Sequence, residues 1–168
     1  MRLNVKQMCN APGQRLPFQF SLDFSDLCFA DRYPAVRPVE VEGEVRNVAG
    51  VMELGFVMHT TLDSVCDRCA KEFQNPVSFR FDCMLAEEKQ DEENDEIVLL
   101  EQGQLDVGDL ARTVFILEMD TKTLCSEDCK GLCPRCGTDL NLGPCSCQKE
   151  ADPRLAVLAK LLDKDSDK

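Results

Sequence analysis

The sequence has few of the residues on which many enzymes depend. It contains one histidine, His59, and no run close to the roughly 20 apolar residues that a membrane-spanning helix needs. A single histidine leaves a histidine-dependent hydrolase little to work with, and neither a Walker loop nor a dinucleotide-binding fingerprint occurs. The sequence therefore predicts a protein that is not an enzyme and that has no membrane partner.

Basic residues are also scarce: 19 lysines and arginines face 31 acidic residues, and the formal net charge is -12. A chain with this charge repels the phosphates of RNA and of anionic membranes unless its basic residues are gathered locally. Candidates for such a patch, each equally explained as an ordinary surface charge, are Arg2, Lys6 and Arg15 or, further along, Lys130 and Arg135. We therefore expect any direct RNA contact to be confined to a small patch.

The beginning of the sequence lacks the continuous apolar core of a signal peptide. We therefore expect a cytoplasmic protein. In a reducing cytosol, closely spaced cysteines are more often metal ligands or redox centres than disulfides. The odd total of 11 cysteines also fits poorly with complete disulfide pairing.

Alternating apolar and polar residues predict a mainly antiparallel β domain. Strands are expected at 15–24, 39–45, 51–66 and 76–85, followed by a short strand and turn within 96–107. The first strand is placed at a sheet edge because Pro17 has no backbone N–H. The turn between the third and fourth strands contains Cys66 and Cys69.

Two further segments have helical periodicity. Asp106 is a candidate N-cap for a helix near 106–119, whose expected apolar stripe is Val107, Leu110, Ala111, Val114 and Leu117. Asp152 and Pro153 begin a short amphipathic helix with a stripe of Leu155, Leu158, Ala159 and Leu162. The predicted class is thus α+β, an antiparallel β domain with one packed helix, a Cys-rich segment and a short terminal helix.

This pattern divides the chain into two regions. Residues 1–121 form the β-rich domain, with an acidic surface loop at 86–96 that contains seven carboxylates and with the helix near 106–119. Residues 122–168 form a zinc-binding segment and the terminal helix, tied to the first region through Cys66 and Cys69.

Eight cysteines form four close pairs, and tetrahedral zinc takes four thiolates. The pairs are Cys66 with Cys69, Cys125 with Cys129, Cys133 with Cys136, and Cys145 with Cys147. From 122 to 150 the apolar residues besides cysteine are four leucines, too few to offset chain entropy by burial. Structural zinc contributes on the order of 10 kcal/mol or more in small modules, so we expect two structural zinc ions to order this segment.

Four pairs can be divided between two ions in three ways. In one division the short loop after Cys136 closes Cys133, Cys136, Cys145 and Cys147 into one site, and the other four cysteines join the hairpin turn to the end of the central helix. In an interleaved division, the CxxC turns at 66–69 and 133–136 share one ion. Both divisions stay open at this point.

Rival cysteine chemistries fit the spacing less well. A thiol-exchange site needs its CxxC at the start of a helix, whereas Cys66 and Cys69 are expected between strands. An iron–sulfur cluster also uses four thiolates, but these paired turns are more typical of ribbon-type zinc sites. The isolated cysteines are interpreted as small core or boundary residues; they are Cys9, Cys28 and Cys83.

From about residue 20 to 163, the chain closely resembles the YceD family of large-subunit ribosomal RNA accumulation proteins. The specific parts of this resemblance are Cys66 and Cys69, the GLCPRCG run at 131–137, and the DPR run at 152–154. The resemblance implies a non-enzymatic role in ribosome biogenesis that supports accumulation or processing of 23S ribosomal RNA.

The acidic charge adds a constraint to this role. It favours contact with basic ribosomal proteins or assembly factors on large-subunit precursors over coating of RNA. Two other functions remain open: a zinc-ribbon interaction module in transcription or another assembly, and a thiol redox or metal-transfer protein.

Overall fold

A computed structural model describes residues 1–29, 31–87 and 97–147. Most of the predicted acidic loop, residues 88–96, and the predicted terminal helix at 152–162 lie outside the described residues. Within them, alternating residues form a five-stranded sheet and a separate two-stranded sheet. The strands are β1 Arg2–Asn4, β2 Arg15–Leu22, β3 Val39–Val48, β4 Val51–Val65, β5 Glu72–Ala86, β6 Ile97–Leu99 and β7 Gln104–Asp106, and α1 is Val107–Glu118.

The large sheet has the order β2-β3-β4-β5-β6, and its first four strands are antiparallel neighbours. This confirms the predicted mainly antiparallel sheet and places β2, which contains Pro17, at an edge. β3 and β4 join through Ala49 and Gly50, which both have positive φ, 53° and 96°. Two such residues match the right-handed twist of a tight hairpin.

Period-two burial along these strands builds the core on one face of the sheet. The buried side chains of β3 and β4 include Val41, Val45, Leu54, Phe56 and Met58. Glu40, Glu42 and His59 lie on the other face and are exposed. The predicted surface position of the histidine is therefore confirmed.

The helix α1 covers the buried face. The Asp106 side chain accepts hydrogen bonds from the N–H groups of Gly108 and Asp109, at 3.1 and 3.2 Å, so the predicted N-cap is confirmed. One member of the predicted stripe is wrong: Leu117 is 77% exposed, whereas Phe115 is fully buried. The rings of Phe24 and Phe79 lie 4.9 and 5.6 Å from that of Phe115, which turns this face of the helix toward the sheet.

Two pairings were not predicted. β1 pairs with β7, immediately before the helix, and β6 runs parallel to the end of β5. A buried side chain, Asn47, also fastens the amino-terminal segment to the sheet: its Nδ2 donates to the Met8 carbonyl oxygen at 2.6 Å, and its Oδ1 accepts from the Gly50 N–H at 2.9 Å. In the described parts of the chain, no helix has the length and apolar character that crossing a membrane requires.

Replacing Phe115 by alanine tests the packing of α1. We expect Phe115→Ala to lower the free energy of unfolding by about 3–5 kcal/mol, because a fully buried ring is lost and the cavity among its aromatic neighbours cannot close completely. Urea denaturation followed by circular dichroism gives the value. Leu117→Ala, on the exposed side of the same helix, is the control; an equal loss in both variants would contradict this packing.

Candidate metal centres

Eight cysteine thiols gather into two groups of four. The hairpin centre consists of Cys66, Cys69, Cys125 and Cys129, and the loop centre consists of Cys133, Cys136, Cys145 and Cys147. Within each group all sulfur atoms lie within 4.8 Å of one another. The structure therefore brings together the first predicted division and not the interleaved one, while metal binding by these residues stays a prediction.

The hairpin centre starts in the turn between β4 and β5, as predicted. Cys66 N–H donates to the Lys71 carbonyl oxygen at 2.9 Å, and Ala70 N–H donates to the Cys66 carbonyl oxygen at 2.8 Å. Ala70 has a φ of 57°, a left-handed conformation that reverses the chain within this short turn. Cys66 and Cys69 are thereby turned to one side and are buried there.

Two residues inside this turn join it to the later cysteine segment. Asp67 and Thr123 exchange two hydrogen bonds: the Asp67 N–H donates to the Thr123 carbonyl oxygen at 2.9 Å, and Asp67 Oδ2 accepts from the Thr123 N–H at 2.6 Å. The Arg68 guanidinium donates to the carbonyl oxygens of Cys129 and Glu127, at 2.8 and 3.1 Å. These bonds hold the second cysteine pair over the first.

Arg68 also contacts the chain between the two centres through its backbone. Its carbonyl oxygen accepts from the Leu132 N–H at 3.0 Å, next to Gly131. Gly131 has a φ of 74°, and a Cβ at this position would lie 2.8 Å from the same oxygen. A glycine is needed here for both reasons.

The loop centre is closed by its own turn. Gly137, with a φ of 72°, donates its N–H to the Cys133 carbonyl oxygen at 2.9 Å, and the Cys133 N–H donates to the Thr138 carbonyl oxygen at 2.8 Å. Leu132 and Asp139 then form an antiparallel bridge. The chain thus returns toward Cys133 before it reaches Cys145 and Cys147.

Asn141, in the loop between Cys136 and Cys145, connects the two groups. Its Oδ1 accepts from the Lys130 N–H at 2.7 Å. Its Nδ2 donates to Asp139 Oδ1 at 2.7 Å and to the Cys129 sulfur at 3.5 Å. A residue of the loop centre's own loop therefore touches a thiol of the hairpin centre.

The sulfur separations fit a tetrahedral thiolate site. With metal–sulfur bonds of about 2.3 Å for zinc, the edge of such a tetrahedron is about 3.8 Å. The separations are 3.7 Å for Cys66 and Cys129, 3.6 Å for Cys69 and Cys125, and 3.4 Å for Cys133 and Cys145. All 11 cysteines are free thiols, so both groups are positioned to bind a metal ion, and the chemistry is compatible with zinc.

Backbone amides favour the ionised form of one thiol in each group. Hydrogen bonding by the Cys125 amide lowers the pKa of Cys66 to about 6, and the Cys136 amide does the same for Cys133, whose pKa is also about 6. Burial raises the pKa of Cys125 to about 12, while the neighbouring Cys136 thiol raises that of Cys147 to about 12. Four thiolates so close together repel each other, and a bound cation would offset that repulsion.

The other three cysteines lie outside both groups, as predicted. Cys83 is buried in the sheet, and burial raises its pKa to about 12; Cys9 is half-buried and Cys28 is exposed. Sequence reasoning did not identify Asp67, Arg68 and Asn141 as parts of the site. The available signal was their position inside the ligand loops, where polar side chains often support metal ligands.

Replacing Gly131 by alanine tests the contact between the hairpin turn and the cysteine segment. Gly131→Ala adds both backbone strain and a clash with the Arg68 carbonyl oxygen, whereas Gly137→Ala adds strain at nearly the same φ with no atom within 4 Å of its Cβ. We expect the first variant to lower the unfolding midpoint of the cysteine segment clearly more than the second. The midpoint is measured by thermal unfolding, with the reaction of the cysteines with a thiol reagent as the signal. An equal decrease of the midpoint in both variants would contradict a role for this contact.

Comparison with known proteins assigns the chain to a family. A model of the YceD family, described as large ribosomal RNA subunit accumulation protein YceD, matches residues 54–162, which include both cysteine groups. No solved structure shows significant similarity to the chain.

Several curated proteins are similar to the chain. Large ribosomal RNA subunit accumulation protein YCED homolog 1, chloroplastic, from Arabidopsis thaliana is 26% identical over 70% of this chain and 46% of its own length. An uncharacterized Mycobacterium tuberculosis protein is 32% identical over 70% of this chain and 58% of its own length. The chain thus spans about half the length of these two relatives, whereas YlbN of Bacillus subtilis, uncharacterized and 23% identical, is matched over 99% of both chains. Because the family model spans more than half of the 168 residues, the chain belongs to the YceD family.

Proposed function

We propose that this chain is a non-enzymatic ribosome biogenesis factor that supports accumulation or processing of 23S ribosomal RNA, or assembly of the large subunit, in the cytoplasm. The observation that carries the proposal is the family match, which spans both cysteine groups and whose description is large ribosomal RNA subunit accumulation protein. A ribosome-related role holds at the level of the family.

We assign a structural zinc ion to each cysteine group. When bound, zinc supplies cross-links between chain segments that share almost no apolar core. Four thiolates fill its coordination positions, so no position is left for a substrate or a catalytic water. This closed donor set supports a role that depends on shape and contact and not on catalysis.

Charge supports a basic protein as the direct partner. Glu40 and Glu42 lie exposed on the open face of β3, and the whole chain carries a net charge of -12. Each tetrathiolate zinc site adds further negative charge, because four thiolates outweigh one divalent ion. Basic ribosomal proteins or assembly factors on large-subunit precursors complement this net negative charge, whereas bare RNA is repelled by it.

Metal analysis tests the zinc assignment. We expect two zinc ions per purified chain, and one in the variant carrying Cys66→Ser and Cys129→Ser, since two of four ligands of the hairpin centre are then lost. Cys28→Ser, outside both groups, is the control and keeps two. Elemental analysis with native mass spectrometry gives the stoichiometry. A brown protein containing iron and sulfide, or two zinc ions in the double variant, would contradict the assignment.

Affinity purification from growing cells tests the ribosomal role. We expect enrichment of large-subunit proteins and 23S precursors, with the proteins retained after nuclease treatment because contact is through protein. Neutralising the β3 face with Glu40→Gln and Glu42→Gln should lower recovery several-fold. Neutralising two exposed carboxylates elsewhere, with Glu72→Gln and Glu118→Gln, is the control with equal charge change.

Protein and RNA identification separates the possible outcomes of this purification. Enrichment of RNA polymerase without ribosomal components would favour the transcription alternative. Absence of every large-subunit component would contradict the ribosomal proposal. Loss of all recovered proteins on nuclease treatment would reject the protein contact and favour direct RNA binding.

A further inference from the structure

We propose that Asn141 couples the two metal centres, so that an intact loop centre strengthens metal binding at the hairpin centre. The inference rests on the metal occupancy given above as part of the proposed function. It starts from the short connection between the groups: three residues separate Cys129, in the hairpin centre, from Cys133, in the loop centre.

The hydrogen bonds define which way the Asn141 amide faces. The Lys130 backbone N–H can only donate, so the atom 2.7 Å from it is the acceptor Oδ1. The opposite atom is therefore the NH₂ group, whose two hydrogens are directed to Asp139 Oδ1 at 2.7 Å and to the Cys129 sulfur at 3.5 Å. Each polar atom of the side chain is thus used, and the donor to sulfur is held in one orientation.

A donor held in this way stabilises the charged form of its acceptor. An N–H group directed at a metal-bound thiolate offsets part of the negative charge that four thiolates place on the site. Arg68 acts differently, because it donates to the Cys129 carbonyl oxygen and not to the sulfur. Asn141, in the loop between Cys136 and Cys145, therefore donates directly to a candidate ligand atom of the hairpin centre.

The position of Asn141 depends on the loop centre. Asn141 lies between Cys136 and Cys145, and its backbone is placed by Asp139, which accepts its N–H at 2.9 Å, and by the pairing of Leu140 with Gly131. If the loop centre is not closed, few apolar contacts remain to hold this loop, because Leu142 is 89% exposed. The amide donor is then lost from Cys129. Because coupling between two binding equilibria is reciprocal, a filled hairpin centre strengthens the loop centre by the same factor.

Cadmium-113 NMR of the full chain loaded with cadmium can follow both centres at once. Each tetrathiolate site gives its own signal, and the variant with Cys145→Ser and Cys147→Ser identifies the signal of the hairpin centre by removing the other. Titration with a competing chelator then gives the affinity of the hairpin centre. We expect each of three variants to bind cadmium at the hairpin centre about 10-fold more weakly, the lower end of the range for residues that support metal ligands. The variants are the one with Cys145→Ser and Cys147→Ser, Asn141→Ala, and Asn141→Asp.

Combining the substitutions separates coupling from two independent losses. Asn141→Ala should cause little further weakening once the loop centre is disabled, since its effect already requires that centre. Asn141→Asp keeps an acceptor for Lys130, removes the amide donations to the Cys129 sulfur and to Asp139, and adds a negative charge beside both, so wild-type affinity in this variant would exclude a role for the bond to sulfur. Leu142→Ala, at the adjacent exposed position, is the matched control and should leave both affinities unchanged.

Three outcomes would overturn the inference: wild-type affinity in Asn141→Asp, an unchanged hairpin centre when the loop centre is disabled, or fully additive losses in the combined variant. The first would assign Asn141 to backbone positioning alone. Metal at both centres without coupling would reject this inference and leave the proposed zinc sites standing, whereas failure of the chain to bind metal at all would reject both.

Discussion

The cysteine segment depends on one contact, the docking of the β4–β5 turn against residues 123–132. Asp67 and Arg68 fill this turn between two candidate ligands and use both side chains and backbone to bind the later segment. Because the segment has almost no apolar core, these polar bonds and the sulfur groups they align are what define its shape. The sheet holds the β4–β5 turn in place, and the hydrophobic core of the sheet does not include the cysteines of that turn.

Much of the sheet could be predicted because its strands are long and half-buried. Alternation over β3, β4 and β5 persists for enough residues to distinguish a strand from a helix, and the spacing of the cysteine pairs placed them in turns. β1 could not be found in this way, and a single short strand was expected where the structure has β6 and β7, since three residues are too few to show a period. The helix buries Phe115 where the sequence predicted Leu117, because aromatic rings from distant segments pack against Phe115.

The sequence predicted which cysteines belong to the candidate sites, but it did not predict the residues that support them. Thiol spacing carries its own chemistry, so the eight cysteines could be named, although their division between two groups needed the fold. Arg68 and Asn141 are ordinary polar residues in sequence, and their roles depend on which carbonyl oxygen or sulfur atom lies opposite. The contact of Asn141 with Cys129 joins positions 12 residues apart, and that of Arg68 with Cys129 joins positions 61 residues apart, so neither leaves a local pattern in the sequence.

The hairpin that carries Cys66 and Cys69 also has a consequence for the order of folding. Six residues join β4 and β5, so the pairing of these two long strands closes only a short loop and costs little loop-closure entropy. Cys125 and Cys129 follow more than 50 residues later. During synthesis from the amino terminus, the first two thiols are therefore arranged as a pair before the second two have been made, and the later segment docks onto a turn that is already formed.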